Sequence, residues 1–240
     1  MTLRRLCYLG LAAIVLAASV AEAGPPSQRR VPTVPEFGRK PEANRMSDVE
    51  RSGNEAVAAR LLTLARQADD SGRRGRTLKY LRTITREHPE TEAAPAAWER
   101  IGDLYARKNR FLRAFEAYER VLKRYPGYRE YHQVIARVYR LGERVLAGER
   151  PYYWGVIPGF RDYKDGIAFF ESTIEYAPHS DFAPEALVNI AALAEKRDEP
   201  EDIIDALARL VNQYPDSAHA PEAYLKLADT YRSFVDGPAY

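Results

Sequence analysis

The sequence predicts an all-α fold, a solenoid of about four stacked helix pairs followed by one further helix. Three observations carry this. A turn sequence recurs three times, as PETEAAPAAWERIGDLY at residues 89–105, PHSDFAPEALVNIAALA at 178–194 and PDSAHAPEAYLKLADTY at 215–231. From Asp48 onward apolar residues recur at i, i+3, i+4 and i+7, the spacing of one helix face. Proline and glycine fall between these periodic blocks, and strand patterns are absent. Repetition at 34–37 residues signals stacked supersecondary units, since one helix pair alone cannot bury its apolar face.

The first elements lie outside the stack. Arg4 and Arg5 precede an apolar run from Leu6 to Val20, and Ala21-Glu22-Ala23 is a small-x-small cleavage site. Residues 1–23 therefore read as a signal peptide, with export and a mature start at Gly24 expected. Cys7, the only cysteine, lies inside that signal, so the mature chain has no thiol for a disulfide or a Cys-based metal site. Residues 24–47 carry prolines 25, 26, 32, 35 and 41 with little apolar pattern and read as an extended, disordered leader.

The solenoid is expected over 48–240. The first repeat, about 58–91, places Leu61, Leu64-Ala65 and Ala68 on helix A, and Leu81 and Ile84 on helix B before Pro89. Arg73, Arg74 and Arg76 around Gly75 form the one basic cluster, a solvated helix start. The second repeat, 95–128, has Trp98, Ile101-Gly102 and Tyr105 on A, then Ala114, Tyr118 and Val121 on B, closed by Pro126. Large residues fill the space between the helices, and Gly102 and Ala114 sit where the backbones approach most closely. The third repeat, 129–180, places His132, Ile135-Ala136 and Tyr139 on A and Gly166, Phe170 and Thr173 on B, with an insert at 142–162. The fourth, 184–217, carries Leu187, Ile190-Ala191, Ala194, Ile203, Leu207 and Leu210. Ile203 breaks the small-residue rule. The fifth, 221–240, is partial: Tyr224, Leu227-Ala228 and Tyr231 lie on a helix over about 218–235, either a cap or the start of a shortened array. Tyr118, Tyr139, Tyr224 and Tyr231 read as stack-filling residues.

These spacings resemble the tetratricopeptide repeat. The resemblance implies a non-enzymatic, protein-binding scaffold whose A helices line a groove for extended peptides. The groove-facing positions it implies include Arg66, Glu99, Asp103, Arg107, Gln133, Arg137 and Lys196. The insert contains Tyr152, Tyr153, Trp154 and Phe160 within nine residues. A loop that apolar either packs back on the stack or meets a partner.

The stretch from Tyr153 to Ala186, with Gly155-Val156, Arg161-Asp162, Ala168-Phe169-Phe170 and Pro178-His179-Ser180, resembles the BamD (YfiO/ComL-type) family of outer-membrane β-barrel assembly proteins. That resemblance implies a periplasmic location at the inner face of the outer membrane. It implies as partners a BamA-like assembly protein with POTRA domains and unfolded outer-membrane clients. BamD proteins carry a lipobox cysteine after the signal, and this chain does not. The segment QYPDSAHAPEAYLKLADTY also resembles repeats of the CpoB family, adaptors of Tol-Pal and envelope constriction. CpoB proteins add an N-terminal coiled coil, and residues 24–52 show no sustained heptads.

Other classes find little footing. No G-x-S-x-G, H-E-x-x-H, phosphate-binding loop or Cys-His arrangement is present, and neither catalysis nor a cofactor is expected. His88, His132, His179 and His219 are scattered singly, and those at 88, 179 and 219 are expected to be solvated in turns. The formal net charge of +2 does not demand nucleic acid or an anionic membrane.

Overall fold

The computed structural model describes residues 48–153, 157–159 and 163–235. The signal peptide and leader expected from sequence lie outside them. Helices α1 (Asp48–Asp70), α3 (Ala93–Ala106), α5 (Tyr131–Leu146) and α7 (Phe182–Glu195) are A helices. Each is followed by its B helix: α2 (Arg74–Glu87), α4 (Phe111–Arg124), α6 (Tyr163–Tyr176) and α8 (Pro200–Gln213). The last described helix is α9 (Ala220–Val235). Every helix packs on its sequence neighbours, which is the connectivity of a solenoid.

Short hydrogen-bonded turns set this repetition. Each A helix of a complete pair ends in a residue with positive φ: Gly72, Asn109, Gly148 and Asp198. In each case the next amide bonds back five residues, from Arg73 to Ala68, Arg110 to Tyr105, Glu149 to Arg144 and Glu199 to Ala194. This left-handed closure satisfies orphan carbonyls at the helix end, at residue types that tolerate it. The recurrent B-to-A turn is equally uniform. Thr91, Ser180 and Ser217 each donate a backbone N–H three residues back, and Ala94, Ala183 and Ala220 donate to them in turn. Those three alanines are buried. Pro95, Pro184 and Pro221 sit in first helical turns, where a missing N–H costs little.

The helices repeat at a longer period too. Arg74–Glu87 and Tyr163–Tyr176, Ala93–Ala106 and Phe182–Glu195, Phe111–Arg124 and Pro200–Gln213, Tyr131–Leu146 and Ala220–Val235 are all offset by 89 residues with equal lengths. A hydrogen bond obeys the same offset. Tyr125 donates its hydroxyl to Pro89 O at 2.8 Å, and Tyr214 donates to Pro178 O at 2.9 Å. The Tyr-Pro helix end thus fastens each of these repeats to the turn of the repeat before it.

The core runs along the stack, through Ala65, Leu81 and Ile84, then Phe111, Tyr118 and Phe169, then Leu187, Leu207 and Leu210. Gly102 allows the closest approach. A Cβ there would lie 2.3 Å from the Tyr118 ring.

Several expectations need correction. In α5 the buried frame is Ile135, Val138-Tyr139 and Gly142, three residues later than expected; His132 is exposed. An i, i+3, i+4, i+7 pattern fits both frames, because His132 and Ala136 flank the apolar face without belonging to its centre. Gly142 belongs to this helix, so the insert begins after Leu146 rather than at 142. Its backbone lies against Phe170, 2.7 Å from where a Cβ would stand. The insert also holds a two-residue antiparallel pair, β1 (Tyr152–Tyr153) with β2 (Ile157–Pro158), where sequence suggested no strand. Helix α1 starts at Asp48, ten residues ahead of the first repeat's expected boundary. Its Glu55 carboxylate accepts the Glu92 N–H at 3.1 Å, placing negative charge at the α3 N-terminus.

Candidate functional site

The residues expected on the A-helix face fall into two groups. Glu99 and Asp103, one turn apart on α3, meet Arg137 of α5, the A helix of the next repeat. Arg137 reaches Glu99 Oε1 at 2.8 Å and donates from Nε to Asp103 Oδ1 at 3.0 Å. Tyr118 of α4 donates to Asp103 at 2.8 Å, and Tyr128, in the turn before α5, donates to Glu99 Oε2 at 2.6 Å. Five side chains from three helices and a turn close one network. Glu99 is only 9% exposed, so its charge depends on these donors. Burial, reinforced by Asp103, pushes the Tyr118 hydroxyl well above its ordinary pKa. Burial and Glu99 do the same to Tyr128. Burial pulls the Arg137 pKa down, but Asp103 and Glu99 outweigh it and leave it raised. The network fixes the stacking of the second repeat on the third.

The second half of the duplication has no equivalent. At the 89-residue offset stand Val188, Ala192, Leu207, Ser217 and Lys226. Lys226 turns instead to Glu195 of α7 at 2.8 Å.

The other expected contacts are more open. Arg107 pairs with Asp69 at 2.9 Å, and Arg66, Gln133 and Lys196 are exposed. Of these, Gln133 touches the Arg137 network, its backbone carbonyl accepting from Arg137 Nη1 at 3.3 Å. The histidines differ from expectation at two turns: His179 is exposed, but His219 is half-buried, and His88 is half-buried with Nδ1 buried and unpartnered among the described residues.

The insert is anchored at its base. Arg144, near the end of α5, donates from Nη1 to Ala106 O at 2.9 Å and from Nη2 to Asn109 Oδ1 at 2.7 Å. It also pairs with Glu149 at 2.6 Å and covers the Phe111 ring at 4.8 Å. Tyr152 N–H donates to Asn109 O at 2.9 Å, and Gly159 N–H donates to Pro151 O at 2.7 Å. The hairpin is therefore tied to the α3–α4 turn of the preceding repeat. Among its described side chains, Tyr152 is 39% and Ile157 49% exposed. The base of the loop thus packs back on the stack, one of the two outcomes expected for it, while Tyr152 and Ile157 stay exposed. Trp154 and Phe160 lie outside the described residues, and Tyr153 is described only as backbone in β1.

Two tyrosines expected to fill the stack do not. Tyr118 and Tyr139 are buried, but Tyr224 and Tyr231 are 54% and 48% exposed. Among the described residues no B helix follows α9. Sequence reasoning missed Tyr118 and Tyr128 as members of the polar network, and Arg144 as the anchor of the insert. The 89-residue comparison would have flagged them, since Leu207, Ser217 and Ser233 replace them in the second copy.

Comparison with curated proteins finds no match to this chain. A tetratricopeptide repeat model matches residues 96–128 and 185–217. These are the second and fourth repeats, equivalent under the duplication. With the helix pairs around them, they make the described stack an α-solenoid of tetratricopeptide repeats, a fold whose usual work is holding other proteins.

Proposed function

We propose that this chain is a non-catalytic scaffold that works with the β-barrel assembly machinery at the inner face of the outer membrane, in the manner of BamD. The observation that supports it best is the apolar hairpin carrying Tyr152 and Ile157, exposed yet tied to two repeats through Arg144, Asn109 and Glu149. A rigidly based apolar patch suits docking, because little conformational entropy is lost when a partner covers it. The signal-like first 23 residues and the BamD-like stretch from Tyr153 to Ala186 support the compartment and the partner class. Partners would be an assembly protein with POTRA domains and unfolded outer-membrane clients.

Affinity capture of the tagged chain from its native envelope, read by mass spectrometry, tests this. Recovery of a POTRA-containing assembly protein, lost on Tyr152→Ala, is the expected result. Recovery of Tol-Pal or peptidoglycan-synthesis proteins without barrel machinery would overturn it in favour of a CpoB-like adaptor.

A further inference from the structure

We propose that the cleft between α2 and α4, floored by α3, binds an acidic polypeptide segment of a partner. This rests on the protein-binding role above and names the chemistry of one partner surface. Arg82 and Arg86 project from α2, and Arg113 and Arg120 from α4, around an open cleft of about 410 Å³. Its floor is Trp98, Ile101 and Tyr105, a single stripe of α3. Arg120 lies 4.6 Å over the Trp98 ring, and Arg82 donates to Tyr105 Oη at 2.9 Å. Among the described residues none of the four arginines forms an ion pair. Glu116 is the one carboxylate on the rim.

The equivalent place in the second half shows what is missing. At the 89-residue offset, Arg82 becomes Glu171, Arg86 becomes Glu175, Arg113 becomes Asp202 and Glu116 becomes Asp205, while Arg120 remains basic as Arg209. There Arg209 donates to both Glu171 oxygens, at 2.6 and 2.9 Å. In the first half the same geometry sets Arg120 opposite Arg82, with Glu116 the single acid beside the four arginines. One site neutralises itself, and the other sets four guanidiniums against one carboxylate and leaves positive charge to be neutralised from outside.

The surroundings favour a polypeptide. Guanidinium forks match carboxylates two bonds at a time. The aromatic floor offers contact to an apolar side chain beside those carboxylates. Glu116 can accept a backbone N–H, and it would repel a dense polyphosphate. A second copy of this chain is a weaker fit, because the opposite acidic face is partly engaged by its own arginines: Arg209 on Glu171 and Asp205, and Arg197 near Asp202.

The test is fluorescence anisotropy of the full chain with a fluorescein-labelled peptide rich in Glu and Asp and carrying a few Leu. Saturable, salt-sensitive binding is expected. The triple variant Arg82→Glu, Arg86→Glu, Arg113→Glu should weaken it at least about tenfold. Arg140→Glu, an exposed change on α5, should leave it unchanged, and circular dichroism should show both variants folded. No binding, or equal binding by the triple variant, overturns the proposal. So does tighter, equally variant-sensitive binding to phosphatidylglycerol vesicles, or self-association in sedimentation that the triple variant abolishes. If envelope capture still recovers protein partners with the triple variant while the acidic peptide never binds, the scaffold role stands and this site alone falls.

Discussion

Gly102 and Gly53 show how one residue type answers to its surroundings. Both are helical, but a Cβ at 102 would collide with the buried Tyr118 ring, while one at 53 meets nothing within 4 Å. The ring cannot yield, because its hydroxyl is held by Asp103. Gly102→Ala is therefore expected to lower stability by about 1–3 kcal/mol through overpacking. Gly53→Ala should raise it by up to about 1 kcal/mol through helix propensity. Urea denaturation of the two variants checks both signs. Arg137→Ala leaves Glu99 buried and short of a donor, so a loss of about 2 kcal/mol is expected. Removing Arg209, whose partner Glu171 is far more exposed than Glu99, should cost under about 1 kcal/mol. The same network predicts an alkaline limb. Unfolded tyrosine titrates near 10.0, while Tyr118 and Tyr128 are raised in the folded chain. Above about pH 10 the unfolded chain holds fewer protons, so stability is intact below that point and falls as pH rises. Combined Tyr118→Phe and Tyr128→Phe should flatten that fall in denaturation midpoints measured from pH 9 to 11. Arg82→Glu recreates the Glu171–Arg209 pair opposite Arg120 and should raise stability by about 0.3–1 kcal/mol, read as an increase in melting temperature.

At the scale of elements, helix faces and turns were legible because each repeats a local rule. The Pro-x-Ser/Thr turn encodes its own backbone bonds, and apolar spacing marks the buried faces of α2, α3, α4, α7 and α8. Helix α5 was misregistered because Tyr139 and Ile135 belong to both possible frames, and only Phe170, packed against Gly142 from the next helix, selects the later one. The Arg137 network was legible as a face but not as a network, since Tyr118 reads as filling and Tyr128 carries no signal until the fold brings them to carboxylates 15 and 29 residues away. The insert was recognised by composition, but its anchor was not, because Arg144 looks like any charged residue at a helix end. Arg144→Ala should therefore loosen the hairpin without unfolding the stack. Faster amide exchange at Tyr152 and Gly159, with α3 and α4 unchanged, is the expected signature.

On the scale of the whole molecule, helices α2–α5 and α6–α9 are two copies of one two-repeat frame that share helix lengths and differ in charge. The first half closes a polar network where the second has Val188, Ala192 and Leu207, and gathers arginines where the second pairs Arg209 with Glu171. Such divergence on a fixed scaffold suits surfaces that meet different neighbours, while the shared Tyr-Pro bonds to Pro89 and Pro178 hold the stack itself. The central claim is that this scaffold docks a protein through the hairpin after β1. The most direct measurement is in-cell crosslinking from a photoreactive phenylalanine analogue at position 152, with the same probe at exposed Leu112 as control. A discrete adduct to a POTRA-containing envelope protein from 152 alone is the expected result. No adduct at 152, or the same diffuse adducts from both positions, would contradict it.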